Sequence, residues 1–317
     1  MTRSTLCLCV AGALIVSGCA AVPATAPIAP SAVATGTSQL LEDVRILSAD
    51  DMQGRDTGSE GGERARAYIV SRLEAMGVHP PPFGRLQRFE TPGRTREGVK
   101  TFSGVNIVGL IPGTRVADRY IVVTAHYDHV GVNDGQIFHG ADDNASGVAT
   151  MLELAARLKA QPPEHSVLIV ALDGEERGLL GAREFVKAPP VPLSSLSLNL
   201  NFDMTARAET DGHLWVTGTY QHPNLRLVLE GVAPNGGVSF AFGKDTPQDT
   251  GENNWVDASD HGAFHEAGVP FLYMGVDYHP DYHRPSDTFD RITPSVFTSA
   301  TEIAIAGFRA LDQALDR

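Results

Sequence analysis

The chain has 317 residues and a net charge of −13, from 25 Lys and Arg against 38 Asp and Glu. Ordinary apolar content over this length allows one large α/β domain or two small ones. The acidic balance argues against a nucleic-acid-binding protein, because phosphate recognition needs clustered positive charge, and it suits cations instead.

The first 18 residues predict an export signal. Arg3 precedes an apolar run from Leu6 to Val16, which is too short to span a bilayer and is typical of a secretory signal peptide. The following Val-Ser-Gly-Cys resembles the lipobox of bacterial lipoproteins, so we expect a lipid on Cys19; a plain signal peptide is the alternative. Ala20 is not the aspartate of an inner-membrane retention signal, which favours the outer membrane, facing the periplasm or the cell surface.

Residues 19–38 are rich in Ala, Pro, Thr and Ser and predict a flexible tether that starts at the lipidated cysteine. All three cysteines, Cys7, Cys9 and Cys19, come no later than the start of this tether. The folded part therefore has neither a disulfide nor a thiolate metal ligand. We expect residues 39–317 to form a single domain.

Helical and strand patterns alternate beyond the tether. Apolar residues at helical spacing predict helices over residues 38–48, 59–77, 145–160 and 294–315. Buried or alternating apolar runs predict strands over residues 105–113, 119–128, 165–176, 194–203 and 269–275. This alternation implies a three-layer α/β/α sandwich with a mixed, mainly parallel central sheet.

Acidic and histidine side chains follow successive predicted strands at their carboxyl ends. In chain order these residues are His126 and Asp128, Glu175 and Glu176, Asp203, and His283. Ligands bind at that edge of an open α/β sheet, so we expect these side chains to converge. Asp143 directly precedes a helix, where main-chain N–H groups favour a carboxylate. Any one of these residues alone fits a helix cap or a packed polar group, whereas their joint occurrence favours a site.

Imidazole and carboxylate donors suit Zn²⁺ or a similar divalent ion, and a carboxylate has two oxygens that can bridge a pair of ions. Paired metals about 3.5–4 Å apart activate a water molecule and polarise a carbonyl, while a free carboxylate takes the proton. Adjacent side chains on an extended segment point apart. We therefore expect Glu176 to bind metal and Glu175 to face the water.

Five ordered motifs, HYD, GADDNASG, DGEERGLLGA, NFDM and DYHRPSDT, resemble those of the co-catalytic di-zinc aminopeptidases, the bacterial leucine-type aminopeptidases of clan MH. The resemblance covers residues 39–317 and implies a zinc exopeptidase fold, of the phosphorylase/hydrolase-like type, with two Zn²⁺ per chain. The implied metal ligands are His126 and Asp203 on one zinc, Glu176 and His283 on the other, and Asp143 between them.

The same resemblance implies roles for three further residues. Glu175 matches the general acid/base, with a metal-bridging hydroxide as the nucleophile. Asp128 matches the acid that orients His126, and Tyr282 matches a donor to the developing oxyanion. A cis peptide bond is implied between Asp143 and Asn144.

Other histidines are not expected to be ligands: His129, His139, His261 and His279, of which His261 is expected to pack behind the site. Ala258 departs from the family pattern, because many relatives carry an arginine there that helps to hold the substrate. Candidates for lining a pocket for the first side chain of the substrate are Met204, Trp215, Trp255, Phe264 and Tyr278.

The implied activity is zinc-dependent removal of the N-terminal residue from peptides with a free amino terminus. We expect a monomer with no nucleic-acid partner and with membrane contact only through the lipid on Cys19. The alternatives are a carboxypeptidase or dipeptidase of the same clan, a glutaminyl-cyclase-like transferase, and a binding protein on an inactive scaffold.

Three features weigh against these alternatives. Only 79 residues separate Asp203 from His283, too few for the lid domain of the glutamate-type carboxypeptidases. The pair formed by His126 and Asp128 is missing from the single-zinc cyclases. An inactive scaffold predicts a lost ligand or base, and each expected one is present.

Overall fold

A computed structural model describes residues 1–2, 37–95 and 98–316. Residues 3–36, which comprise the rest of the predicted signal peptide, Cys19 and most of the tether, lie outside the described residues. The helices are α1 (Thr37–Leu47), α2 (Glu60–Ala75), α3 (Gly147–Ala160), α4 (Leu180–Lys187), α5 (Pro223–Leu229), α6 (His261–Glu266) and α7 (Pro294–Ala314). The strands are β1 (Leu86–Thr95), β2 (Gly98–Ile111), β3 (Val116–His126), β4 (Gly131–Asn133), β5 (Gln136–Phe138), β6 (His165–Leu172), β7 (Leu196–Phe202), β8 (His213–Thr217), β9 (Ser239–Phe242) and β10 (Phe271–Gly275).

Eight strands form the central sheet in the order β1-β2-β6-β3-β7-β10-β8-β9. The central strands β6, β3, β7 and β10 are parallel to one another, and β8 is parallel to β9. The pairs β1–β2, β2–β6 and β8–β10 are antiparallel. Strands β4 and β5 form a separate hairpin. The prediction of a mixed, mainly parallel sheet is confirmed.

Helices cover both faces of this sheet, because its central strands are apolar on both sides. In β3, Ile121 and Val123 pack into the larger core, which includes Leu152 of α3. Val122, between them, packs on the opposite face with Phe185 of α4. Two cores on either side of one sheet explain the uninterrupted apolar runs, and they confirm the three-layer α/β/α architecture.

The β1–β2 hairpin shows where the sequence pattern was insufficient. Strand β1 was not predicted, because only Phe89 and Gly93 among its ten residues are buried and it contains Pro92. A proline is tolerated on an edge strand, where its missing N–H interrupts no internal ladder. The structure therefore adds β1 at this edge of the sheet, and it adds β8 and β9, which were also not predicted, at the opposite edge.

Among the described residues, no helix combines the length and apolar character needed to cross a membrane.

Candidate metal centre

Two of the expected ligands lie at the ends of neighbouring strands. His126 is the last residue of β3, and Asp203 directly follows β7, which is parallel to β3 and in register with it. The His126 Nε2 atom lies 3.2 Å from Asp203 Oδ1. The Tyr273 hydroxyl of β10 donates to the Asp203 main-chain oxygen at 2.9 Å, which fixes the loop at this strand end. Parallel pairing thus brings together residues that are far apart in the chain.

The expected bridging residue, Asp143, lies in a wide turn that precedes α3. The predicted cis peptide bond between Asp143 and Asn144 is present. Gly140 adopts a left-handed φ of 58°, and a Cβ atom there would lie 2.1 Å from the Asp143 main-chain oxygen, so this turn requires glycine. Asn144 Oδ1 accepts the N–H of Gly147 at the start of α3. Asn144 therefore has the capping role expected of Asp143, whose carboxylate is left for other partners.

The two oxygens of the Asp143 carboxylate face different groups. Oδ1 lies 3.4 Å from His126 Nε2, and Oδ2 lies 3.0 Å from His283 Nε2. The Asp143 side chain is almost fully buried. This placement suits a carboxylate that is shared between two cations.

The side chains of Glu175 and Glu176 point in different directions, as expected. The prediction that they lie on an extended segment is wrong. Gly174 has a φ of 77°, and residues Glu175–Arg177 form a short 3₁₀ turn. Such a turn has three residues per revolution, so adjacent side chains still point in different directions. Glu176 Oε1 lies 3.2 Å from His283 Nε2, whereas Glu175 falls in one group with His126 and Asp203.

Asp128 supports the site differently from the expectation. Its carboxylate accepts the main-chain N–H groups of Glu175 at 3.1 Å and Glu176 at 3.3 Å, and it lies 3.8 Å from His126 Nδ1. The ring of His126 instead donates to the Asp128 carbonyl oxygen at 3.1 Å. The Asp128 carboxylate thus binds the glutamate-bearing turn more closely than it binds the His126 ring, and its role in orienting His126 stays a prediction.

The charges of this cluster suit cations. Burial lowers the pKa of His126, but the carboxylates of Asp203 and Glu175 outweigh it and hold that pKa well above its usual value. Burial also opposes the charge on His283, yet Asp143 and Glu176 raise its pKa to about 11. Burial raises the pKa of the Glu175 carboxyl well above its usual range. Both histidines therefore face an excess of negative charge, which divalent cations would balance.

The donor atoms also fit a metal chemically. Two groups of His and carboxylate atoms each lie within 4.8 Å of one another: His129, Asp143, Glu176 and His283, and His126, Glu175 and Asp203. Within the described part of the chain, the buried Glu176 Oε1 has no hydrogen-bond partner. A buried carboxylate oxygen without a donor is costly unless a cation or water meets it. Nitrogen and oxygen donors without thiolates suit Zn²⁺ and similar ions.

A cleft opens onto these residues. The Tyr282 ring stacks on His283 with the ring centres 4.0 Å apart. Of the predicted pocket residues, Met204, Trp255 and Tyr278 line the cleft, as does Ala258. The other two do not: Phe264 packs in the α4–α6 core, and the Trp215 indole N–H donates to Asp211. The arginine that many relatives carry at the position of Ala258 would thus lie at the wall of this cleft.

Arg55 supports the site but was not identified from the sequence. Its buried guanidinium donates to the carbonyl oxygens of Tyr127 at 2.9 Å and Gly140 at 2.9 Å, and also to those of Leu47 and His139. It therefore joins the loop after β3 to the turn that carries Asp143. Nothing in the sequence indicates this role, because all four acceptors are main-chain atoms from three separate segments.

Two further acids were also missed. The Asp287 carboxylate accepts the main-chain N–H groups of Asp142 and Asp143 at 3.0–3.1 Å, which secures the Asp143 turn from the opposite side. Asp260 is fully buried, and burial raises its pKa to about 7. Asp287 belongs to the DYHRPSDT motif and Asp260 lies between Ala258 and His261, but the sequence predicted no role for either acid.

The histidines set aside from the sequence fall into two classes. His139 contacts Asp50, His279 contacts Asp142, and His261 donates to the Trp255 carbonyl oxygen at 2.7 Å. None of these three lies in either donor group. His129 does, because its ring faces Glu176.

Comparison with known proteins agrees with this geometry. The sequence model of "Peptidase family M28" matches residues 106–307, and the chain belongs to this family. Aminopeptidase YwaD of Bacillus subtilis is 30% identical over 215 residues, which cover 63% of this chain and 43% of YwaD. The protein named "Probable lipoprotein aminopeptidase LpqL" in Mycobacterium tuberculosis is 26% identical over 277 residues, covering 78% of this chain and 53% of LpqL. The chain thus spans about half the length of these relatives.

Solved structures share the fold over most of their length. BSAP, a zinc aminopeptidase from Bacillus subtilis, superposes with a TM-score of 0.68 at 19% identity, covering 88% of this chain and 95% of BSAP. A glutaminyl cyclase from Porphyromonas gingivalis gives a TM-score of 0.68 at 19% identity, covering 86% of this chain and 98% of the cyclase. These likenesses establish the fold, which both enzymes have in common.

Proposed function

We propose that this protein is a zinc-dependent aminopeptidase that removes the N-terminal residue from peptides. The observation that carries the proposal is the placement of Asp143 between His126 and His283, with one carboxylate oxygen toward each of these histidines. Membership of peptidase family M28 and the names of the relatives support it.

Two Zn²⁺ ions would be held by the residues implied by the resemblance: His126 and Asp203 for one, Glu176 and His283 for the other, and Asp143 for both. Bound zinc lowers the pKa of a water ligand and polarises a substrate carbonyl. The protein must supply the proton transfer and the substrate contacts.

Glu175 is the proposed general acid/base. It lines the cleft, and its carboxylate lies within 4.8 Å of the donor atoms of His126 and Asp203. A carboxyl with a raised pKa can take a proton from water and return it to the leaving nitrogen, because its pKa lies closer to the working pH. The Asp128 carboxylate accepts the main-chain N–H of Glu175, which holds the turn that carries this base in place.

Substrate recognition follows from the same cleft. Glu175 and Asp203 provide negative charge for the free α-ammonium group, and the Tyr282 hydroxyl is the proposed donor to the developing oxyanion. Met204, Trp255 and Tyr278 offer an apolar wall to the first side chain. We therefore propose that peptides with an unblocked, apolar first residue are the preferred substrates.

The test is a panel of amino-acid anilides and short peptides, assayed with purified protein that lacks the first 38 residues. We expect release of the first residue, loss of activity on chelation and its return with zinc, and no turnover of N-acetylated peptides. A peptide with N-terminal glutamine identifies a cyclase, because cyclisation loses ammonia whereas hydrolysis gains water. Turnover of blocked peptides only, or of no substrate, would contradict the proposal.

We also propose that the protein is an exported lipoprotein anchored through Cys19, as a monomer that reaches the membrane only by this lipid. The lipobox-like sequence and the lipoprotein name of the relative LpqL support the anchor. Labelled palmitate should enter the wild-type protein but not a Cys19→Ala variant, and cell fractionation should then identify the membrane. A soluble, unlabelled wild-type protein would show that the leader is a plain signal peptide.

A further inference from the structure

His129 occupies an unusual position for a histidine that is not a ligand. It lies three residues beyond His126 in the loop after β3, and its side chain is fully buried. Its main-chain N–H donates to the Arg55 carbonyl oxygen. Its ring faces Glu176.

The contact between these two side chains is close but is not a hydrogen bond. His129 Nδ1 lies 2.8 Å from Glu176 Oε1 and 3.8 Å from Asp143 Oδ2. Despite the short distance, neither ring nitrogen of His129 has a partner of hydrogen-bond geometry among the described residues, and neither has Glu176 Oε1. Buried polar atoms are normally satisfied, so two facing atoms that are both unsatisfied indicate a species that binds both.

The neighbouring atoms define the charge of that species. Donor atoms of Asp143, Glu176 and His283 lie within 4.8 Å of the His129 donor atom and of one another. Two carboxylates and two imidazoles make four donors, the number that zinc commonly takes in proteins. The group around His126 contains no second histidine.

We propose that His129 Nδ1 is a direct ligand of the metal ion held by Asp143, Glu176 and His283. This inference rests on the proposed metal-dependent function, and it adds a third histidine to the ligands that the resemblance implies. The ion near His283 then has two imidazole ligands and the ion near His126 has one. The two ions are expected to differ in affinity, with the former bound more tightly.

The first experiment uses the unmodified protein, labelled with ¹⁵N-histidine and loaded with ¹¹³Cd²⁺. A ring nitrogen bonded to this isotope shows a split resonance. We expect three split histidines, assigned by single substitutions to His126, His129 and His283. Two bound cadmium ions with only His126 and His283 split would overturn this inference and leave the proposed function intact. A protein that binds no metal would instead contradict the proposed function.

The second experiment measures zinc affinity by competition with a chromophoric chelator in His129→Gln. Loss of an outer residue typically weakens metal binding by about 10–100-fold. Loss of a direct ligand should exceed about 100-fold for one of the two ions. A His261→Gln variant is the control, because His261 is an equally buried histidine outside both donor groups. A loss below 100-fold in His129→Gln, with only two split histidines in the wild type, would make His129 an outer residue and overturn the inference.

Discussion

The two halves of the proposed metal centre are positioned by different kinds of structure. His126 and Asp203 stand at the ends of adjacent parallel strands, and their side chains are buried, with exposures of 1% and 11%. Glu176 and His283 lie in loops; His283 has a left-handed φ of 51°, and 38% of its side chain is exposed. Main-chain hydrogen bonds of the sheet fix the strand half of the centre, His126 and Asp203. Side-chain contacts must fix the loop half, Glu176 and His283.

Asp281 provides much of that support for the loop half. Its carboxylate accepts the Ser286 hydroxyl at 2.7 Å and the Arg207 guanidinium at 3.1 Å. Arg207 lies in the segment after Asp203, so this ion pair joins the loop half to the strand half. Weakening a few side-chain contacts should therefore loosen one metal position while the sheet, and the other position, stay intact.

The largest effect is expected where the halves meet. Asp143→Asn keeps the shape of the side chain but removes the charge that both donor groups share, so we expect loss of both metals and activity at background. Elemental analysis after dialysis and the anilide assay measure this. Asp134→Asn, in the exposed β4–β5 turn, is the matched control and should retain both ions. Retention of two metals in Asp143→Asn would show that the halves do not share this ligand.

Glu175 should separate catalysis from metal binding. Glu175→Gln removes the proposed acid/base but none of the proposed metal ligands, so kcat should fall by about 10²–10⁴-fold while two metals remain bound. Glu184→Gln, on α4, is the control for the same change of residue type. If Glu175→Gln loses a metal together with activity, Glu175 is a ligand and its role has been misassigned.

Asp281→Ala should affect one half only. Without its contacts to Arg207 and Ser286, the loop that carries His283 becomes less ordered. We expect about a 10–100-fold loss of affinity for one metal, as is typical of residues that orient ligands, and little change for the other. Asp249→Ala removes a comparable loop-bracing carboxylate, which binds Thr246 away from the cleft, and should change neither affinity. Equal weakening of both metals in Asp281→Ala would contradict the difference between the halves.

The strand half of the site was also the easier half to predict from the sequence. A buried strand can be recognised from its run of apolar residues. The polar residue at its end must then lie at the edge of the sheet, as His126 and Asp203 do. His283 was also assigned to a strand end, but it lies eight residues beyond β10, in a loop with no periodic pattern. His129 was set aside because neither spacing nor resemblance indicates which way its ring turns.

Other features depended on tertiary contacts that no local pattern contains. Arg55 binds main-chain oxygens of distant segments, and the Asp128 carboxylate binds the main-chain N–H groups of Glu175 and Glu176. The exposed strand β1 lacks the apolar alternation by which strands are recognised. The three layers and the mainly parallel direction of the strands, in contrast, follow from the alternation of helical and strand patterns in the sequence.

The smallest effect on activity is expected behind the strand half, at His261. Its ring stacks on Phe271 of β10, with centroids 5.3 Å apart. Burial lowers the pKa of His261 from 6.5 to about 4, so the folded state binds its proton more weakly than the unfolded chain does. The stability that this group contributes is complete above pH 6.5 and is lost as the pH falls toward 4.

His261→Gln keeps a donor for the Trp255 carbonyl oxygen but removes the titration. Between pH 7 and pH 4, the free energy of unfolding of the metal-free wild type should therefore fall by up to about 3 kcal/mol more than that of the variant. Denaturant unfolding with a chelator present measures both proteins, and activity at neutral pH should be unchanged. Parallel pH dependences would mean that the folded state protonates His261 as readily as the unfolded chain does. The strand half would then carry a buried charge, and its rigidity could not be attributed to the sheet alone.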